Sequence, residues 1–438
     1  MPANRFLSET GKFFFVAIPK IISGFGTVGI GLLLLRHFGP EQFGMYSLCI
    51  SGVLLADNVL GAAVDFGVLR LAPVSQTTDQ ARSYHIQRIA LTVKVIIGGV
   101  ALLGGALIPL IFELGRFGHL IFLSCAAAVS LLLFRTAQTQ LQIEGRFTWY
   151  GALDLFNSAL KFGGIGVLMA VGEVTPAKVL GCLTIGPAAA FLGWACTARG
   201  RAMLAGDFVN PERLAELFKH TRWVFLTFAL AAITSRLDLL CLTAWSGIEQ
   251  VGIFSAGATL VIVLQLIGTY ASVILSPRVM PLWEEGRFFN FYRRFQFATF
   301  ALCSLLLLVS IPLVEFCAPL LLPAKYLLSK QVIIALLPGA LAGLATFPLT
   351  LTLLMFQRPR LLFWMDCTGI FLFVICYYLA VPVYGALGAA VVTSCICVFK
   401  ATLAQIVAWR VAWRSQSFPL VGVSSSSASA VPIGVSGK

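Results

Sequence analysis

The sequence is short of charge. Asp, Glu, Lys and Arg make up 11% of its 438 residues, where a soluble domain carries about 25%. It has no GxxxxGK[ST] phosphate loop, no HExxH and no Cys-His cluster, which argues against ATP-driven work by this chain alone and against a zinc hydrolase. The four histidines (His37, His85, His119, His220) are scattered and form no ligand set. The eleven cysteines lie inside apolar runs, for example Cys49, Cys125, Cys241, Cys303 and Cys376. They read as small apolar residues and not as a disulfide framework. The first apolar run has no small-residue cleavage site after it, so no cleaved leader is expected.

Apolar residues fill the space that charge leaves. They are 59% of the chain, in runs of spanning length, without the strict alternation of a β-barrel. This is an all-α polytopic membrane protein. The runs predict twelve spans, near 13–35, 45–69, 89–112, 118–137, 150–171, 177–198, 222–244, 251–276, 296–318, 329–356, 361–381 and 384–410. The net charge of +13 does not point to nucleic acid, because it is dispersed through short loops. Arg and Lys concentrate in alternate loops, among them Arg135, Arg146, Arg199, Arg201, Arg293 and Arg294. By the positive-inside rule both termini are cytoplasmic.

The chain says one thing twice. Gly39-Pro40-Glu41-Gln42-Phe43-Gly44-Met45-Tyr46-Ser47 returns as Gly247-Ile248-Glu249-Gln250-Val251-Gly252-Ile253-Phe254-Ser255. The offset of 208, from Gly44 to Gly252, also relates Arg70 to Arg278 and Pro73 to Pro281. A repeat of half the chain means a duplicated bundle: two pseudo-symmetric six-helix lobes. The expected divisions are a first lobe over 1–198, a cytoplasmic linker with an interfacial helix over 199–221, a second lobe over 222–414 and a disordered tail over 415–438. In the linker, Asn210 would cap that helix and Pro211 would take its first position. Each motif copy reads as a helix-helix turn, its glycines supplying the tight bend. Prolines within spans (Pro19, Pro109, Pro187, Pro312, Pro338, Pro348) predict bends.

Charge at membrane depth costs about 2.5–3.5 kcal/mol per residue on insertion scales, so it marks wet or functional positions. The candidate cations are Lys20, Lys161, Arg236 and Lys400, and the candidate acids are Asp57, Asp154 and Asp238. Asp154 and Lys161 are seven residues apart and share a helix face. Lys94 is expected to snorkel to the cytoplasmic surface, and Asp65 and Asp366 are set aside as near span ends. Each acid could simply pair with a cation to hold the bundle. Alternatively, the cations line a water-filled cavity that takes an anionic head group. Lys20, Asp57 and Asp65 do not recur at the 208 offset. The scaffold is duplicated while its charged lining is not, which suits one asymmetric site between the lobes.

The stretch Arg36-His-Phe-Gly-Pro-Glu-Gln-Phe-Gly-Met-Tyr-Ser47, with Pro277-Arg278 and Val383-Tyr-Gly-Ala-Leu-Gly-Ala-Ala390, resembles the polysaccharide-biosynthesis or O-antigen flippase family of the multidrug/oligosaccharidyl-lipid/polysaccharide exporter (MOP) superfamily. The resemblance runs to about residue 410. It implies two six-helix lobes around a central cavity in a bacterial inner membrane. The substrate would be an undecaprenyl-diphosphate-linked oligosaccharide, moved between leaflets by alternating access. No cofactor or metal is implied, only H+ or Na+ as a possible coupling ion. The expected partners are the lipid-linked glycan, membrane lipid and glycan-assembly proteins. Three other readings stay open. A cation-coupled multidrug antiporter would use Asp57 or Asp154 as its ion site. A glycan polymerase or ligase would need a large outer loop, which the sequence lacks. A non-transporting scaffold of a glycan-assembly complex would use the arginine-rich loops.

Overall fold

A computed structural model describes the backbone of residues 3–71, 80–111, 116–205, 225–226, 229–284, 288–355 and 359–417. Among these residues there is no strand. The first lobe begins with α1 (Ala3–His37) and α2 (Pro40–Ala56), which runs through a π-helical turn (Asp57–Ala62) into α3 (Ala63–Leu71). It continues with α4 (Gln80–Ile111), α5 (Arg116–Ile143), α6 (Phe147–Val171), α7 (Pro176–Ala195) and the short α8 (Ala198–Leu204). In the second lobe a helical stretch over 229–234 breaks at Ser235 and Arg236 and resumes as α9 (Leu237–Ser246). Then come α10 (Ile248–Glu284), α11 (Phe288–Leu321), a 3-10 turn (Ala324–Tyr326), α12 (Ser329–Met355) and α13 (Pro359–Ser417).

Nine described helical stretches are long and apolar enough to cross a membrane. One of them, Asp366–Ile406, contains the non-helical Gly385 (φ 53°, ψ −131°) and crosses twice. With the broken 229–246 segment and α10, the crossings number twelve, as the sequence predicts. The chain is a multi-pass membrane protein.

Local chemistry sets the helix ends. Pro40 takes the first position of α2 and Glu41 lies in its first turn, where an acid suits the helix dipole. Thr175 caps α7, its hydroxyl accepting from the Lys178 amide at 3.3 Å, and Pro176 follows. Gly172 ends α6 in the left-handed region at φ 75°, a conformation that a Cβ disfavours. Arg88 of α4 closes the C-terminal end of α8. Its guanidinium donates to the carbonyls of Met203 at 2.6 Å and Ala202 at 2.8 Å. The predicted helix at Asn210 and Pro211 lies outside the described residues, as do 418–438 of the predicted tail. Residues 415–417 continue α13.

One core cluster joins the lobes. Leu34, Leu35, Phe38 and Phe43 of the first pack with Val251, Phe254, Tyr326 and Leu336 of the second. Among the described residues, the other clusters each belong to a single lobe. The lobes are therefore fastened near the α1–α2 connection, at one end of the spans.

Candidate functional site

The fastening is built from the duplicated motif, and here the turn expectation needs correction. Gly44 and Gly252 are helical residues, inside α2 and α10. Of the motif glycines only Gly247 has a positive φ, 88°. Gly44 and Gly252 face each other across the lobe boundary, their backbones in contact. A Cβ at Gly252 would sit 1.8 Å from the Pro40 carbonyl oxygen, and one at Gly44 would sit 2.1 Å from that of Ile248. Pro40 and Ile248 are themselves equivalent under the 208 offset, so the contact is symmetric. Glycine is required because the helices approach backbone to backbone, as small residues permit in membranes. Around it, Tyr326 donates its hydroxyl to the Phe38 carbonyl at 3.1 Å, and its ring meets Phe43 edge-on at 6.2 Å between centroids. Burial pushes the Tyr326 hydroxyl's pKa upward, which keeps it a neutral donor. Lys325 adds a bond to the Arg36 carbonyl at 3.3 Å.

Away from this seal lie the membrane-depth charges. The first lobe gathers four of the seven candidates. Lys20 of α1 holds its ammonium over the Tyr150 ring, 5.4 Å from the centroid. Asp154 of α6 feels both Lys20 and Lys161, and accepts from the Gln138 amide at 3.2 Å. The Lys161 stem crosses α7 at Gly186, where an added Cβ would come within 2.6 Å of it. Beside it, Asn157 Oδ1 and Ser158 Oγ are buried without a hydrogen-bond partner among the described residues. Asp57, at the start of the π-helical turn, is ion-paired at 2.5 Å to Arg135 of α5. Arg135 also acts on Asp154 at longer range, which ties the two acids into one field.

The second lobe keeps its own charges. Lys400 pairs with Asp366. Asp238 accepts from the Leu239 amide at 2.8 Å and lies within the field of Arg236. Arg236 sits at the helix break, and its Nε is buried with no hydrogen-bond partner among the described residues.

Two sequence expectations are corrected. Lys94 does not snorkel: it is 1% exposed, bonded to Asp65 at 2.5 Å and to the Thr136 hydroxyl at 3.2 Å. At that depth the ion pair is the affordable alternative to an unpaired ammonium. Asp366 does open its span, as expected, and it is the partner of Lys400. Arg135, assigned to a cytoplasmic loop, belongs to α5. That helix continues through Gln138, Gln140 and Gln142, and the chain next turns at Gly145 (φ 66°). The absence of a helix stop before Gly145 was the available signal.

The comparisons with known proteins follow from this geometry. No family model matches the sequence, and no curated protein does. The fold is that of known transporters. A structure described as lipid II flippase MurJ in an inward closed conformation is similar at TM-score 0.70 and 13% identity, over 90% of this chain and 87% of that one. An inward-facing multidrug resistance MATE family transporter of the MOP superfamily gives 0.70 at 11% identity, over 93% and 100%. An outward-facing one gives 0.62 at 13%, over 93% and 97%. The chain is an all-helical, twelve-crossing membrane protein with the MOP transporter fold.

Proposed function

We propose that this chain is a flippase that carries an undecaprenyl-diphosphate-linked oligosaccharide, such as an O-antigen or exopolysaccharide repeat unit, across a bacterial inner membrane. Both termini are cytoplasmic in this reading, so the seal is periplasmic and the lobes part toward the cytoplasm, where the substrate is made. The lobes rock about the Gly44–Gly252 contact to expose the site to either side.

The observation that carries the reading is the gathering of cations at membrane depth in the first lobe. Lys20, Lys161 and Arg135 all act on the region of Asp154, where low dielectric strengthens their field. Cations gathered in this way suit an anionic head group better than a cationic drug. Lys20, Lys161 and Arg236 would hold the diphosphate, while the prenyl tail stays in lipid. Lys400 can join them only by leaving Asp366. Asp57, Asp154 and Asp238 are the candidate sites for a coupling H+ or Na+. The protein's role is transport, without a catalytic residue of its own.

The test is a deletion strain of the source bacterium. Undecaprenyl-linked repeat units should accumulate in the cytoplasmic leaflet and clear when the wild-type gene returns. Normal glycan export with raised drug sensitivity would replace this reading with the antiporter. Unpolymerised repeat units in the outer leaflet would replace it with the polymerase.

A further inference from the structure

The first lobe carries a cleft lined by its own helices alone. It occupies about 520 Å³ where the ends of α5 and α7 meet the starts of α6 and α8. Its walls include Trp149, Phe156 and Trp194, and its rim carries Arg146, Arg199 and Glu144. Trp149 and Phe156 are 56% and 48% exposed. Leu155 and Leu192, on the same spans, are exposed as well and extend the apolar surface.

The rim is charged in a specific way. Glu144 is fully engaged: one oxygen takes Arg199 at 2.7 Å, and the other takes Tyr84 at 3.2 Å and Gln140 at 2.9 Å. Arg146 lies over the Trp149 ring, 5.7 Å from its centroid, and has no carboxylate among the described residues. Among the described lining residues, two guanidiniums and one carboxylate leave a single positive charge above an aromatic slot. The slot lies at the ends of the spans, at the depth where lipid phosphates sit.

We propose that this cleft binds one anionic phospholipid. Its phosphodiester would sit on Arg146 with Arg199 beside it, and the upper part of one acyl chain would lie against Trp149 and Phe156. The volume is in the range of ligand sites, and basic pockets between helices at the membrane rim recognise acidic head groups. A single surplus charge matches a monoanionic phosphodiester. A zwitterionic lipid brings its own cation and gains less. A diphosphate carries at least two charges and is undercompensated here. The site is therefore distinct from the proposed transport path and does not depend on the substrate carried there.

The test uses purified full-length protein in phosphatidylcholine vesicles. Phosphatidylglycerol brominated in its acyl chain is compared, at equal mole fraction, with phosphatidylcholine brominated in the same way, by quenching of tryptophan fluorescence. Wild type should be quenched more by the brominated phosphatidylglycerol. That excess should fall in Trp149→Phe, which removes one of the two tryptophans lining the cleft, and disappear in Arg146→Gln, which removes the charge. Arg146→Lys should keep it. The apparent affinity loss for Arg146→Gln is expected to be about tenfold, the scale of one charge-assisted hydrogen bond. Equal quenching by the two lipids in wild type overturns the proposal, whether or not the variants fold. An excess that persists in Arg146→Gln, with the variant monodisperse, overturns it as well.

Discussion

Replacing Gly252 by alanine should pry the lobes apart at their seal. The new methyl would lie 1.8 Å from the Pro40 oxygen and 2.6 Å from its carbon. Ordinary contact needs about 3.5 Å, so the helices must separate by about 1.7 Å, and no flexible side chain is available to yield. Overpacking of this kind costs about 1–3 kcal/mol. The cost applies only where α2 and α10 touch, so it shifts the equilibrium away from the sealed form by roughly 5- to 150-fold. Hydrogen–deuterium exchange on the full-length protein reads this directly. Peptides covering 36–48, 248–256 and 322–332 should exchange faster in Gly252→Ala, and in Gly44→Ala. Transport should fall although the site residues are untouched. Gly52→Ala is the control: it lies on the same helix α2, and a Cβ there meets nothing within 4 Å. It should leave exchange at the seal unchanged and gain slightly in helix propensity. If Gly252→Ala exchanges like wild type in all three peptides and transports normally, the backbone seal is not the lobes' fastening.

Arg236→Ala and Lys161→Gln should each abolish glycan export while protein levels hold, and normal export by an Arg236→Ala strain would remove that residue from the site. Gly186→Ala should impair export by displacing the Lys161 stem, which an added Cβ would approach to 2.6 Å; export equal to wild type would show that the stem's position is immaterial. Lys94→Met leaves Asp65 buried without its ammonium and should cost about 3–5 kcal/mol of stability, read as a large loss of melting temperature, with Lys94→Met/Asp65→Leu recovering much of it. Glu173, in the connection between α6 and α7, has its carboxyl pKa lowered by a hydrogen bond from Lys178 and by that residue's charge. Its contribution is present above the ordinary carboxylate pKa and fades as pH falls through the lowered value, so Glu173→Gln should flatten only the acid limb of a melting-temperature profile.

The sequence makes the architecture legible because spans and repeats are written in one dimension. Apolar run length gives the twelve crossings, and the 208 offset gives the two lobes. Pairing across helices is not written that way. Lys94 near a span end reads as a snorkelling residue, and only the approach of α3 and α5 reveals Asp65 and Thr136 around it. Arg135 reads as a loop residue because a polar helical extension such as Gln138–Gln142 looks like a loop to a hydropathy reading. The motif glycines stand out in the sequence, yet their partners do not, because each one's reason lies 208 residues away. The relation of Asp154 to Lys161 is intrahelical and so is legible in the spacing, while Lys20 and Tyr150 join them only through the packing of α1 on α6.

The Gly44–Gly252 contact also bears on how such a chain arises. Each glycine meets the carbonyl four residues before the other, so the surface is self-complementary. Two identical half-chains bearing one copy of the motif would dimerise through it isologously, closing a twofold pair with no surface left to propagate a filament. In that dimer any change at the glycine is made twice and felt twice. Fusing the halves removes this penalty: Phe43 and Tyr46 on one side can face Val251 and Phe254 on the other, and the lysines of one lobe need no counterpart in its twin.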